Sequence, residues 1–403
     1  MWLCAAAALF EGFDNQSIGV AAPRLTLEFA LTIPEKGLIL SAAPFALFIG
    51  AAVGGRVADL LGHRRTLIVS MMLFGLCSLL TAVAIGAGSL LAARVCTGLG
   101  LGGALPNFIA LSSDAAPSDR RLSTVTIVMA GMPLGGAVAA LTSLGEGLGW
   151  SWRNIFLVGG VGPLLIAWLM WRALSESGEV KWGAAADVRS VRTSAAGVRS
   201  IRATLFAEYR APTTLLLWTA FFFTQLILLL MLNWLPTLIV GLGFSRAEAG
   251  WASIWFNLCG SAGSMFLARL HAGSQRRLWV VLTYVGMIVA LLGVPAVGKV
   301  FSLAALACGL AGVFIVGAQL ILFALAPLYY ERSVRGTGVG AAVSVGRLGS
   351  VVGPLFASAL LAGGGTSETV LLGIIPFVLI GGGAALALTW REAVPTNPGG
   401  ERL

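Results

Sequence analysis

"TTLLLWTAFFFTQLILLLMLNWLPTLIV", residues 213–240, runs for 28 positions without a charged side chain. At a rise of ~1.5 Å per residue, a helix of that length exceeds the ~30 Å hydrocarbon core of a bilayer. The run is therefore read as a membrane-spanning helix. The rest of the chain repeats the pattern, since 58% of its 403 residues are hydrophobic and only 11% are charged, against ~25% charged in a soluble domain. Twelve apolar runs are predicted to span, at residues 1–22, 35–58, 66–86, 89–113, 122–144, 153–171, 213–240, 247–270, 278–297, 300–326, 337–362 and 368–391. Backbone groups in lipid must satisfy one another, and the alternating segments of a barrel are missing, so the expected fold is an all-α membrane protein.

A net charge of +9 suggests nucleic acid at first sight. The placement of the basic residues points instead to a bilayer and to no nucleic acid. With the N-terminus in the cytoplasm, 19 Lys and Arg fall in inner segments, against five outside: Arg24, Lys36, Arg153, Arg246 and Lys299. That bias follows the positive-inside rule and puts both termini of an inner-membrane protein in the cytoplasm. Both histidines, His63 and His271, fall in inner loops. Five cysteines, at 4, 77, 96, 259 and 308, lie inside predicted helices without CxxC spacing, which reads as buried free thiols, with no metal and no disulfide. The first run is long, holds two acids and has no clear cleavage site, so it is read as a retained span rather than a signal peptide.

The one long polar stretch, between the sixth and seventh runs, holds seven Lys and Arg against four Asp and Glu over residues 172–210. It divides the helices six and six, giving bundles at 1–171 and 212–392, a basic linker at 172–211 and a tail at 393–403. The halves also echo one another. "GGRVADLLGHRR" (54–65) and "ARLHAGSQRR" (268–277) leave the second and eighth helices, while "SDAAPSDRR" (113–121) and "APLYYERSVR" (326–335) leave the fourth and tenth. A six-helix period implies two pseudo-symmetric bundles with a binding site between them near mid-membrane.

Setting aside loops and helix ends, four ionisable residues remain inside the spans: Glu11, Asp14, Arg94 and Arg347. A charge at mid-bilayer costs roughly 2.5–3.5 kcal/mol even on lenient scales, so such residues face a cavity or one another. Two buried salt bridges that only fix packing would satisfy this; an ion or substrate pathway is the stronger reading, because all four fall at one depth. Glu11 and Asp14, three apart, share a helix face. Neighbouring carboxylates in a dry site suit a proton carrier, and a guanidinium suits a substrate carboxylate. Uncharged polar residues accompany them: Asn15 and Gln16, Asn107, Gln225 and Asn233, Asn257, and Gln319. Of these, Asn15, Asn107 and Asn233 are candidate substrate contacts. In "NWLP" (233–236) the proline is expected to break its helix and free backbone carbonyls, with Trp234 at the interface or on a ligand.

"GLGLGGALPN" (98–107) has no strand before it, so close helix packing explains its glycines better than a dinucleotide does. The chain has no GxxxxGK[ST], HExxH or GxSxG, which excludes a self-contained ATP-driven pump and makes an intramembrane hydrolase remote.

"GGRVADLLGHRR" resembles the signature of the major facilitator superfamily, with Gly55, Asp59, Gly62, Arg64 and Arg65 in place and Leu60 and His63 where arginines are usual. That resemblance implies a cytoplasmic gate in which Asp59 meets the start of the eleventh helix near Thr337 and Gly338. "EGFDNQSIGVAAP", "RVCTGLGLGGALPNFIALSSDAAPSDRR", "WRNIFLVGGVGPLL", "NWLPTLIVGLGFS" and "APLYYERSVRGTGVGAAVSVGRLGSVVGPL" together resemble the aromatic acid:proton symporter family, and within it carriers of 3-(3-hydroxyphenyl)propionate. The resemblance implies import of an aromatic monocarboxylate with a proton, no cofactor, no enzymatic activity and a monomer in the bilayer. The family's acids fall on Glu11 and Asp14 and its arginines on Arg94 and Arg347. "GMPLGG" (131–136) partly resembles a motif of proton-driven efflux carriers, so export of organic anions is one alternative, and a membrane sensor of the same acids is another.

Overall fold

The computed structural model describes residues 2–114, 128–129, 131–142, 144–145, 149–173, 206, 210–271, 275–330 and 335–391. Most of the expected linker and the expected tail lie outside them.

The described chain is helical, with α1 (Trp2–Glu28), α2 (Ile33–Leu61), α3 (His63–Ala82), α4 (Ala87–Asp114), α5 (Gly131–Thr142) and α6 (Trp152–Ala173) in the first half. The second half holds α7 (Arg210–Gly241), α8 (Arg246–His271), α9 (Arg276–Ala296), α10 (Phe301–Leu325) and α11 (Arg335–Ala362). The last helix, α12, runs as two segments, Ser367–Gly373 and Ile375–Leu388. Its interruption was not expected; Pro376 opens the second segment, where the missing N–H is harmless and the ring would clash with a continuing helix. Each predicted span finds a helix. Among the described residues eight are long and apolar enough to cross a membrane, and large apolar side chains such as Leu80, Leu165, Val289 and Leu379 stand exposed on their outer faces, where lipid would lie.

Packing follows the six-helix repeat. In the first half α2 packs on α4, α3 on α4 and α6, and α1 on α5 and α6; in the second, α8 packs on α10, α9 on α10 and α12, and α7 on α11 and α12. The seam between halves obeys the same operation, because α2 against α11 becomes α8 against α5, and α1 against α7 maps onto itself. Glycines let these backbones touch. A Cβ on Gly98 or Gly102 of α4 would strike the carbonyl of Ala43 or Leu47 in α2, and one on Gly312 of α10 would strike that of Phe256 in α8.

Five turns at one end of the bundle contain four residues each, at 29–32, 83–86, 242–245, 297–300 and 363–366. We call this the short-turn end, and the opposite one the linker end. The second residue of four of these turns has positive φ, three of them glycine and the fourth Ala30 at 47°. Helices α2 and α8 open with matching capping boxes, Thr32 with Glu35 and Ser245 with Glu248.

Near the short-turn end the halves are joined by hydrogen bonds. Gln16 Nε2 donates to the Leu232 carbonyl at 3.0 Å, Lys36 Nζ to Thr237 Oγ1 at 2.8 Å, Ser41 Oγ to the Val351 carbonyl at 3.1 Å and Ser358 Oγ to the Ile33 carbonyl at 2.8 Å.

Candidate functional site

Helix α1 holds Glu11 and Asp14 one turn apart, both buried, near the middle of its length. Their surroundings differ. Asp14 accepts two hydrogen bonds from Arg94 of α4, Nη1 to Oδ1 and Nη2 to Oδ2, each 2.8 Å long. Both residues are 1% exposed, so the pair is a desolvated, two-pronged ion pair inside the first bundle. The ring of Phe156 in α6 lies 5.9 Å from the guanidinium carbon and shields it from that side.

Glu11 has no such partner. Both carboxylate oxygens are buried and neither receives a hydrogen bond from the described residues. Its charged neighbours are Arg347 of α11 and Asp14, and Arg347, half-buried, has Glu11 as its own. The four charges thus gather in one layer. One pair is closed within a bundle, and the other spans the two halves.

Polar groups line the seam toward the short-turn end. Asn15 is half-buried beside Asp14. Gln16, 1% exposed, reaches α7 by its bond to the Leu232 carbonyl. That carbonyl is available because Pro236, four residues on, has no N–H to give it. The proline therefore frees a carbonyl as expected without breaking the helix, since the neighbouring backbone stays helical through Pro236. Asn233 is also 1% exposed and turns its Nδ2 onto the Leu229 carbonyl at 3.0 Å. Trp234 is buried rather than at an interface, with Nε1 donating to the Pro354 carbonyl at 3.1 Å.

Other expected site residues lie elsewhere. Asn107 sits toward the linker end of α4, with Nδ2 on the Gly103 carbonyl and Oδ1 2.7 Å from His63 Nδ1, so its amide is fully engaged away from the acids. His63 is not in a loop. It is the first residue of α3, because Gly62, at φ 85°, alone makes the turn from α2. Arg64 Nη2 donates to the Trp171 carbonyl at 3.1 Å, and Arg65 is engaged as well. Thr337 is exposed, while Gly338 lies under the ring of Tyr330, which a Cβ there would overlap. The surroundings of Gly55 and the side chain of Asp59 lie outside the described residues, and with them the expected contact of Asp59 to α11.

Three further differences have physical causes. Cys96 faces outward from α4 and Cys259 is half-buried, so only Cys4, Cys77 and Cys308 are the buried thiols expected. The glycines of "GMPLGG" serve packing, since a Cβ on Gly131 or Gly135 would meet α1 backbone at Ala5 or Leu9. Lys36, expected among the outer cations, is 6% exposed. Its ammonium sits between Thr237 and the ring of Trp234, 5.0 Å from the centroid, with no carboxylate described against it. Its neighbour Gly37 was the available signal. A helix start with no side chain at that point lets α11 approach, and Ser358 fills the space. Among the described residues no cluster of His, Cys, Asp and Glu could hold a metal.

Paired six-helix bundles with a charged layer at their seam describe a carrier's architecture, and residues 4–354 match the family model of the Major Facilitator Superfamily. The chain belongs to the Major Facilitator Superfamily. Among curated relatives from this superfamily, it is 40% identical to the 3-(3-hydroxy-phenyl)propionate transporter of Escherichia coli strain K12, covering 97% of this chain and 94% of that one. It is 30% identical to the gallate transporter of Pseudomonas putida, over 89% and 84%. In fold it is similar to the crystal structure of a D-xylose-proton symporter, with a TM-score of 0.78 at 15% identity, covering 98% and 97%. Relatives and fold are those of major facilitator transporters, not of enzymes.

Proposed function

We propose that this protein imports an aromatic monocarboxylate, 3-(3-hydroxyphenyl)propionate or a related hydroxylated or benzoate-type acid, by proton symport with alternating access. One observation carries the proposal. Glu11 keeps two buried oxygens without hydrogen bonds opposite Arg347 of the other half, while Asp14 is fully engaged by Arg94. A substrate carboxylate arriving at Arg347 puts two anions against one guanidinium in a dry layer, and a proton on Glu11 restores the balance. Glu11 is then the proton carrier, Arg347 the anion contact, Asp14 with Arg94 the fixed pair beside them, and Asn15 and Asn233 polar contacts at the seam. The relatives named as transporters of 3-(3-hydroxyphenyl)propionate and gallate support the substrate class.

The same reading puts a monomer in the bacterial cytoplasmic membrane with both termini inside and the short-turn end outside. Bundles 1–171 and 212–392 rock about the seam, joined by 172–211, and Asp59 with Gly55, Gly62, Arg64 and Arg65 latches the inner side against Thr337 and Gly338.

The test is accumulation of labelled 3-(3-hydroxyphenyl)propionate in proteoliposomes with and without an inward proton gradient. Wild type should accumulate it only with the gradient. Glu11→Gln should still bind the acid and lose gradient-driven accumulation. Indifference to the gradient would overturn the symport, binding without transport would favour a sensor, and net movement against inward uptake would favour an efflux carrier.

A further inference from the structure

Along the seam, from the central layer toward the short-turn end, four buried oxygens receive no hydrogen bond among the described residues: two on Glu11, one on Gln16 (Oε1) and one on Asn233 (Oδ1). A buried acceptor left unmet costs free energy that a neutral ligand's donor can return. One proton can serve Glu11. The two amide oxygens require donors of another kind.

Their orientation is not interchangeable. Each amide nitrogen is held by a backbone carbonyl, Gln16 Nε2 by Leu232 and Asn233 Nδ2 by Leu229, both at 3.0 Å. A carbonyl can be met only by the NH2 side, so each oxygen is presented as a fixed acceptor. The two residues lie on the α1–α7 contact, where Gln16 reaches the Leu232 carbonyl and Gly19 approaches the Asn233 backbone so closely that a Cβ would stand 2.7 Å from its Cα. Both helices start at the linker end, and helical side chains lean toward their helix N-terminus, so both amides incline toward the layer of Glu11 and Arg347. Both residues are 1% exposed, which keeps water from competing for those oxygens.

We propose that Gln16 and Asn233 form a subsite for the phenolic hydroxyl of the transported acid, one amide oxygen accepting its single O–H and the other open to a second ring hydroxyl, while the carboxylate is held at Arg347. This rests on the proposed function and adds the feature that selects among aromatic acids. A site built to take a hydroxyl proton discriminates strongly against an analogue that cannot donate one.

The experiment is binding of three acids to the purified full chain by calorimetry: 3-(3-hydroxyphenyl)propionate, 3-phenylpropionate and 3-(3-fluorophenyl)propionate, the last similar in size but without a donor. Wild type should prefer the hydroxylated acid over both others by about ten-fold or more. Gln16→Leu and Asn233→Leu should narrow that ratio by weakening the hydroxylated acid alone. Equal binding of the phenol and the fluoro acid by wild type would overturn the subsite without any variant being made, as would variants that weaken all three acids in proportion. Failure of wild type to bind any of the three would instead remove the proposed function, and the subsite with it.

Discussion

Asp14 and Glu11 stand one helical turn apart, yet substitution should expose opposite consequences. Asp14→Asn leaves the guanidinium of Arg94, 1% exposed, without its anion, and breaking a buried pair from one side costs about 3–5 kcal/mol. The expected result is a large fall in thermal midpoint in detergent, with Asp14→Asn, Arg94→Gln together recovering part of it. A midpoint close to wild type for the single variant would show that the pair is not desolvated in the membrane. Ala30 makes a second prediction. It holds φ at 47° in a turn position where three sister turns use glycine, and a left-handed alanine is strained by roughly 1–2 kcal/mol. Glycine gives part of that back as unfolded-chain entropy, so Ala30→Gly should stabilise by about 0.5–1 kcal/mol in the same assay. Unchanged or lower stability would mean that the turn is held by its neighbours at no cost.

At the scale of helices, Lys36 shows where the sequence was readable and where it was not. The spans could be read because apolar length is a local property, and the four central charges because each stood out within an otherwise apolar run. Lys36 sits in the first turn of α2, where a cation is ordinarily solvated, and its burial depends on Trp234 and Thr237, some two hundred positions away. No local pattern holds that information. The capping boxes at Thr32 and Ser245 were different, since their S/T-x-x-E spacing was plain in the sequence and would have aligned the two halves at the start of α2 and α8 more firmly than the basic loops did. Similarly, Pro236 signalled a freed carbonyl, but only the packing of α1 on α7 showed that Gln16 takes it. Thr237→Val tests the lysine's setting. It leaves a buried ammonium without its hydroxyl, for a cost of about 2 kcal/mol, read as a lower thermal midpoint that Lys36→Met in the same background should relieve. A neutral Thr237→Val would show that Trp234 alone suffices.

For the whole molecule, the hydrogen bonds that join the halves near the short-turn end describe a carrier shut on that side. Gly37 of α2 and Ser358 of α11 touch there, so a Gly37→Cys, Ser358→Cys pair needs only a small adjustment to form a cross-link. Under oxidising conditions uptake should stop, and reductant should restore it. Full activity with the bond verified in place would mean that this end does not open during transport. The five four-residue turns on that side have a practical meaning of their own. They leave almost no chain beyond the helix ends, so an antibody or a protease arriving at these five connections meets helix ends with little loop between them. A binder meant to report on this protein's state, or a tag meant to be seen on it, is better aimed at a longer connection.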